Sequence, residues 1–368
     1  FHKAISMSGY TESTSKQDSY RQNEKSFQST HTSWSVVNRI LKDLNYEKKQ
    51  DELSKKEIRN VLYGLSGIDF YSYYKDRKNY EEIPLLTNDG IVIPEIGLNA
   101  ALSKSEHVNI VPTIAGSNRD EVKFWLAFSD YFVNLDYSLG SSLFGLPKIT
   151  LKDEDAYEAF NYYRSSAWKV RGVDDPLKSL SNAGNKRLFS YRFDWDDQRR
   201  FFIADFKKLI GATHAMEIPL LAGDSTLVGG APVANFIYPR GLSKFYTSRN
   251  MMRFWTNFAK EGNPGFSSNK IKWEQYIPDE NDFYPFMIID NKKNLKMSSS
   301  NLTLKKLTNE LFKDNRLNET EKCVVLYQMF TFVGNDTYSE EIKNYKGKCD
   351  REESEKFIIE NASTIDYD

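Results

Sequence analysis

The sequence contains no run of 18 or more apolar residues, so no segment is long and apolar enough to cross a bilayer as a helix. It also lacks a charge surplus. Fifty Lys and Arg stand against 51 Asp and Glu, and a formal net charge of −1 excludes an electrostatic nucleic-acid binder as the default reading. Cysteine is scarce, and Cys323 and Cys349 make no metal-ligand spacing with any of the four histidines, so no metal is expected. A disulfide between them would close a 26-residue span in an exported protein; two unrelated reduced thiols are the equal alternative. No repeat of fixed period is present, which excludes a solenoid. The opening FHKAISMSGY lacks the charged segment, apolar stretch and cleavage site of a secretory signal. A start inside the strand-like AISM run is read as a cut, with further residues and any targeting signal expected upstream of Phe1, so the compartment stays open.

What is present is material for a large core. Of 368 residues, 40% are hydrophobic and 14% aromatic, while 27% are charged, an ordinary soluble surface. Disorder and collagen-like arrays are excluded, and length alone allows one or two domains. Four Asn-x-Ser/Thr triplets, at Asn301, Asn318, Asn335 and Asn361, are read as chance matches in an Asn-rich tail.

The local patterns mix helices and strands, which favours an α/β fold. Residues 11–30 are polar and read as a surface loop, followed by a helix carrying Val37, Ile40, Leu41 and Leu44. Ser54 and Glu57 form an S-x-x-E capping box ahead of Ile58, Val61, Leu62 and Leu65, with Gly64 and Gly67 marking the end. Residues 11–80 are thus expected to be a helical insertion. In IPLLTNDGIVIPE, Asp89-Gly90 between apolar runs predicts a β-hairpin. Ile110 to Ala115 predicts a buried strand breaking at Gly116 into a polar turn. KRLFSYRFDW predicts a half-buried strand with Phe189, Tyr191, Phe193 and Trp195 on one face. A helix is expected around Met251, Met252, Trp255, Phe258 and Ala259, stopped by Gly262 and Pro264, then a strand at YPFMIID with a turn at NKKN. From about Ser298 to residue 368 the pattern is helical and highly charged.

Four histidines make the search for a general base short. His2 lies near the chain start, His31 in a polar loop and His107 ahead of a strand. His214, in LIGATHAMEIPLLAG, sits in a Gly-flanked turn that would present an imidazole from a loop on a rigid base. Residue type alone favours a structural or surface histidine. An acid after a strand and turn, as in GSNRDEVKFW, would hold the second imidazole nitrogen, although Asp120 and Glu121 by themselves read as a solvated charge pair. The order of acid before histidine suits an α/β-hydrolase and predicts a nucleophile upstream of Glu121. No G-x-S-x-G elbow is present, since GLSGI, GDSTL and GLSKF each lack the second glycine at the required spacing.

Four segments in the same order resemble the type-B carboxylesterase family, the group of the cholinesterases and p-nitrobenzyl esterases. FHKAISMSG resembles the strand after that family's nucleophile elbow, VPTIAGSNRDE its acid segment, THAMEIPLLAG its histidine segment, and MMRFWTNFAKEGNPG its penultimate helix. The resemblance implies an α/β-hydrolase fold of which this chain is the C-terminal part. It implies Glu121 as triad acid, His214 as general base, Ser8 as a serine bonded to the acid, and Phe124 and Trp125 as substrate-lining aromatics. For Ser8 a plain buried strand serine is the other reading, and for the two aromatics simple core. The family's glycines after the acid and the histidine are replaced by Val122 and Ala215. Of the two, Val122 is the change expected to matter if its position requires φ > 0.

The expected function is therefore a serine carboxylic-ester hydrolase working through an acyl-enzyme on a small-molecule ester, without metal or organic cofactor, and silent as this chain alone because the serine and oxyanion loop lie upstream. A non-catalytic adhesion or interaction domain is the alternative. Retention of both Glu121 and His214 weighs against it.

Overall fold

Short segments of branched and aromatic residues supply the strands of the main sheet. The computed structural model describes residues 1–20, 32–73, 86–138, 147–225, 231–345 and 348–361. It contains two units, Phe1–Thr11 with Leu102–Asp368, and Glu12–Ala101. In the larger unit β1 (Ala4–Met7), β2 (Thr113–Asn118), β3 (Leu188–Phe193), β4 (Tyr284–Ile289) and β5 (Lys296–Ser300) lie side by side in that order. The first four run parallel, and β5 returns antiparallel to β4 after the NKKN turn. This mixed sheet with helices between its strands is the α/β class expected from the pattern.

Two strand expectations change. β3 is buried along both sides of its pleat: Leu188 and Ser190 are as enclosed as Phe189, Tyr191 and Phe193, and only Arg192 is half-buried. A central parallel strand needs no polar face, so its alternation reflects polar groups accommodated inside. β2 does not break at Gly116 but runs through it to Asn118. A Cβ at Gly116 would overlap the Tyr191 ring on β3, so the glycine serves a close approach and not a turn.

The helices of this unit include α1 (Lys123–Leu126), α2 (Glu154–Lys169), α3 (Glu217–Ala222), α4 (Leu242–Glu261), α5 (Leu304–Leu311), α6 (Glu319–Thr331) and α7 (Arg351–Glu360). α4 buries Met251, Phe254, Trp255 and Phe258, and its aromatic rings meet Phe189 and Tyr191 of β3 at centroid distances of 6.2 and 5.2 Å. Met252 and Ala259 of the same helix are exposed. The helix stops at Gly262, which takes φ 70 as a left-handed cap. A second core joins Tyr157, Phe160 and Tyr163 of α2 to Leu307, Leu311, Val325 and Met329 of α5 and α6. Cys323 and Cys349 are joined in a disulfide with Cα atoms 5.2 Å apart, so of the two readings the bridge is the one found.

In the smaller unit the helix Ser33–Asp43 buries Val36, Val37, Ile40 and Leu41, while Leu44 caps its end and is exposed. The Ser54/Glu57 capping box forms as expected at the start of Lys55–Tyr63, whose Ile58, Val61 and Leu62 pack on Val37, Leu41 and Leu53. Gly64 ends that helix, but Gly67 opens another, Gly67–Ser72, capped by Ser66. Residues 11–20 hold a short strand, Ser13–Ser15, and one helical turn; 21–30 lie outside the described residues. The hairpin at Asp89-Gly90 is not present. Leu86–Asn88 pairs in parallel with Ser13–Ser15, and Asp89 Oδ1 accepts the N–H groups of Ile91, Val92 and Ile93, folding the chain into a turn that returns no strand. Residues 83–85 of that motif lie outside the described residues.

Candidate active site

The C-terminal end of β2 leads through Arg119, Asp120 and Glu121 into α1. Glu121 is fully enclosed, which is costly for a carboxylate unless each oxygen is bonded. Oε1 accepts the Ser8 hydroxyl at 2.5 Å and the Asn118 N–H at 2.6 Å, and Oε2 meets His214 Nδ1 at 2.8 Å. Since an ionised carboxylate only accepts, Nδ1 carries the proton and the Nε2 lone pair is left bare. Among the described residues Nε2 makes no hydrogen bond.

The histidine loop is fastened to the acid loop along its whole length. His214 N–H donates to the Glu121 carbonyl at 3.2 Å, and the Thr213 hydroxyl donates to the same oxygen while accepting from Phe124 N–H at 2.6 Å. Asn118 Nδ2 donates to the Thr213 carbonyl at 2.6 Å. Asp120, the expected partner in a solvated charge pair, is buried instead. It accepts Ala212 N–H, Asn161 Nδ2 and the Arg119 guanidinium, and its own N–H donates to the Ala212 carbonyl. Burial pushes the Asp120 carboxyl up, but Arg119 and Lys123 with these bonds hold it below the usual carboxylate range.

His214 is half-buried, its ring lying 5.3 Å from that of Trp125 and 5.1 Å from that of Trp168, the two indoles being stacked on one another. Burial pulls the imidazole pKa down; the hydrogen bond and charge of Glu121, with the charge of Glu217, outweigh it and leave the pKa above its ordinary 6.5. Glu217, at the start of α3, is a second buried carboxyl, 1% exposed, with Oε2 accepting Asn118 Nδ2 at 2.6 Å. Burial pushes it up to about 7, helped by the charge of Glu121 and opposed by the Asn118 bond. Asn118 thus bridges both carboxyls, through its backbone to Glu121 and its side chain to Glu217.

Of the residues singled out from the sequence, Glu121, His214 and Ser8 come together. Trp125 adjoins the imidazole, whereas Phe124 turns to Trp125 and Phe128 and is exposed. His2 and His107 are exposed and apart from the cluster, and His31 lies outside the described residues. Val122 is unstrained at φ −86 and fully buried, whereas Ala215 sits at φ 65, so the small replacement is the one in glycine's region. Sequence reasoning missed Asn118, Thr213, Glu217 and Trp168. The first three lie within three positions of the acid or the histidine and were open to a search of polar neighbours; Trp168, 46 positions before His214, had no signal. Among the described residues no group of three or more His, Cys, Asp or Glu is placed to hold a metal.

Residues 150–308, which include His214 but not Glu121, match the model of the carboxylesterase family. Carboxylesterase 1E of Rattus norvegicus is 27% identical over 297 residues, 75% of this chain and 50% of the relative. Liver carboxylesterase of Sus scrofa is 25% identical over 263 residues, 64% of this chain and 42% of the relative. The chain spans about half the length of the curated relatives it matches. Among solved structures, a PNB esterase aligns at 18% identity over 83% of this chain and 57% of its own, with a TM-score of 0.48.

Proposed function

We propose that this chain is a member of the type-B carboxylesterase family and the acid and histidine half of a serine carboxylic-ester hydrolase. The observation that carries this reading is the 2.8 Å bond from His214 Nδ1 to the buried Glu121. His214 Nε2 takes the proton of a serine hydroxyl as that oxygen attacks the ester carbonyl, and Glu121 stabilises the imidazolium that forms. Nε2 then protonates the departing alcohol, leaving an acyl-enzyme that water cleaves by the same proton path. Ser8 and Asn118 hold Glu121 in place, and Trp125 with Phe124 line the acyl or alcohol side of the ester.

Ser8 is not the nucleophile, because its hydroxyl is spent on Glu121 Oε1, the oxygen not facing His214. We place the nucleophilic serine and the oxyanion N–H groups upstream of Phe1, with the 368 residues as the C-terminal part of one α/β-hydrolase domain, 11–80 an insertion and 298–368 a charged helical end. The chain alone is then silent toward p-nitrophenyl esters, while the protein with its upstream coding sequence turns them over. In that protein His214→Ala lowers kcat by on the order of 10⁴ or more. Turnover by the isolated chain, or an unchanged kcat in the variant, rejects the assignment. An upstream sequence without G-x-S-x-G would instead favour a binding module.

A further inference from the structure

The C-terminal helices gather features that ester hydrolysis does not use. Of the 28 asparagines, seven lie at or beyond Asn301, and four of these open an Asn-x-Ser/Thr triplet; none of the 21 before them does. Chance in an Asn-rich tail explains extra asparagines but not why only the tail's asparagines are followed by a hydroxyl two positions on. The same 61 residues, 301–361, contain both cysteines, and these are bonded, Cys323 in α6 to Cys349 ahead of α7. Structural disulfides persist in oxidising compartments, and the lumen that forms them is where Asn-x-Ser/Thr is glycosylated.

The geometry separates the four sites. Asn318 is exposed at the N-cap of α6: Oδ1 accepts Glu321 N–H at 3.0 Å, its own N–H donates to Glu321 Oε2 at 2.7 Å, and Nδ2 makes no bond among the described residues. Thr320 is exposed beside it. A sugar on Nδ2 leaves the capping oxygen in use, so modification and helix cap are compatible. Among the described residues the side chain of Asn301, in the loop before α5, likewise engages only Oδ1, with Lys306 Nζ at 2.7 Å, the same ammonium also donating to the Asn301 carbonyl, and Thr303 is exposed. Asn361 has its Nδ2 committed to the Phe357 carbonyl at 2.8 Å. Asn335 is half-buried, and its backbone carbonyl accepts the buried Arg171 guanidinium.

We propose that this helical region faces an oxidising lumen or exterior and that Asn318 and Asn301 carry N-linked oligosaccharide. The donor is an oligosaccharide on a lipid diphosphate. Asn Nδ2 forms a bond to sugar C1, the C1–O bond to the diphosphate breaks, the lipid diphosphate leaves with the electron pair, and one amide proton passes to a base of the transferase. Nothing is oxidised or reduced.

The test expresses the full-length protein, with its own upstream sequence, in an insect or mammalian cell line. Peptide N-glycosidase digestion in ¹⁸O-water should convert Asn318 and Asn301 to labelled Asp in the peptide mass spectrum. Thr320→Ala, which keeps the Asn318 cap, and Asn301→Gln should each remove one glycan step on a gel, whereas Thr320→Ser should retain it. Alkylation without reduction should leave Cys323 and Cys349 unlabelled. Unmodified Asn318 and Asn301, glycan confined to Asn335 or Asn361, or alkylated cysteines would overturn the proposal.

Discussion

The acid loop, 119–126, and the histidine loop, 211–217, are joined by hydrogen bonds along their length yet are built differently. The acid loop continues a sheet strand, keeps ordinary backbone angles at Val122, and buries Asp120, Glu121 and Val122. The histidine loop has left-handed backbone at Gly211 and Ala215 and holds a half-exposed ring. Most of its anchors lie in the neighbouring acid segment, at Asn118, Asp120 and Glu121, while Gln198 and Tyr238 donate to the Gly211 and Met216 carbonyls. A base that must move protons sits on a segment with few anchors of its own, and the rigid neighbour supplies them.

If that dependence holds, the largest effect should come from Asp120. Asp120→Ala strands Asn161 Nδ2 and the Ala212 N–H and leaves Arg119 to Asp196, and should lower unfolding stability by about 2–5 kcal/mol in urea titration. Glu154→Ala, which breaks an exposed pair with Lys208, should cost under about 1 kcal/mol. Equal losses would remove the special role of the acid loop.

The next effect is one of pH and belongs to Glu217. Its carboxyl titrates near 4.5 when unfolded and about 7 when folded, so between those values the folded state keeps a proton that the unfolded state has lost. Stability should fall as pH rises from about 4.5 to 7 and level off above, by on the order of 3 kcal/mol. His214, raised as well, adds loss of the same sign as pH climbs through its folded value. Glu217→Gln should flatten most of the slope in thermal unfolding measured across that window; an unchanged slope would place its cause elsewhere.

Much of the frame was legible because it rests on local chemistry. The S-x-x-E box, Gly262 as a helix stop and the strand before Glu121 each follow from a few adjacent residues. Glu121, His214 and Ser8 were legible through the resemblance, not through residue type, which had Asp120 and Glu121 in solvent. What stayed hidden depends on tertiary context: Gly116 lies in a strand because Tyr191 needs its space, Ser190 is enclosed in a central strand, and Trp168 reaches His214 from a distant helix. Asp89-Gly90 failed differently, because the Asp89 side chain captured three backbone N–H groups that a hairpin would have needed.

The two replaced glycines give the sharpest reading of the two loops, with opposite signs. Val122 has φ −86 and is fully enclosed against the core of α2, so Val122→Gly deletes a buried side chain and frees the unfolded backbone. It should destabilise by roughly 2–4 kcal/mol. Ala215 at φ 65 carries a left-handed cost of about 1–2 kcal/mol, partly offset on substitution by glycine's greater unfolded entropy. Ala215→Gly should therefore raise stability by about 1 kcal/mol or less, with the Glu121 bond to His214 unchanged in the structure of the variant. Urea midpoints for the pair decide the matter. If Ala215→Gly destabilises as Val122→Gly does, the histidine loop is not held in a strained conformation by its neighbour, and the difference between the two loops is one of exposure alone.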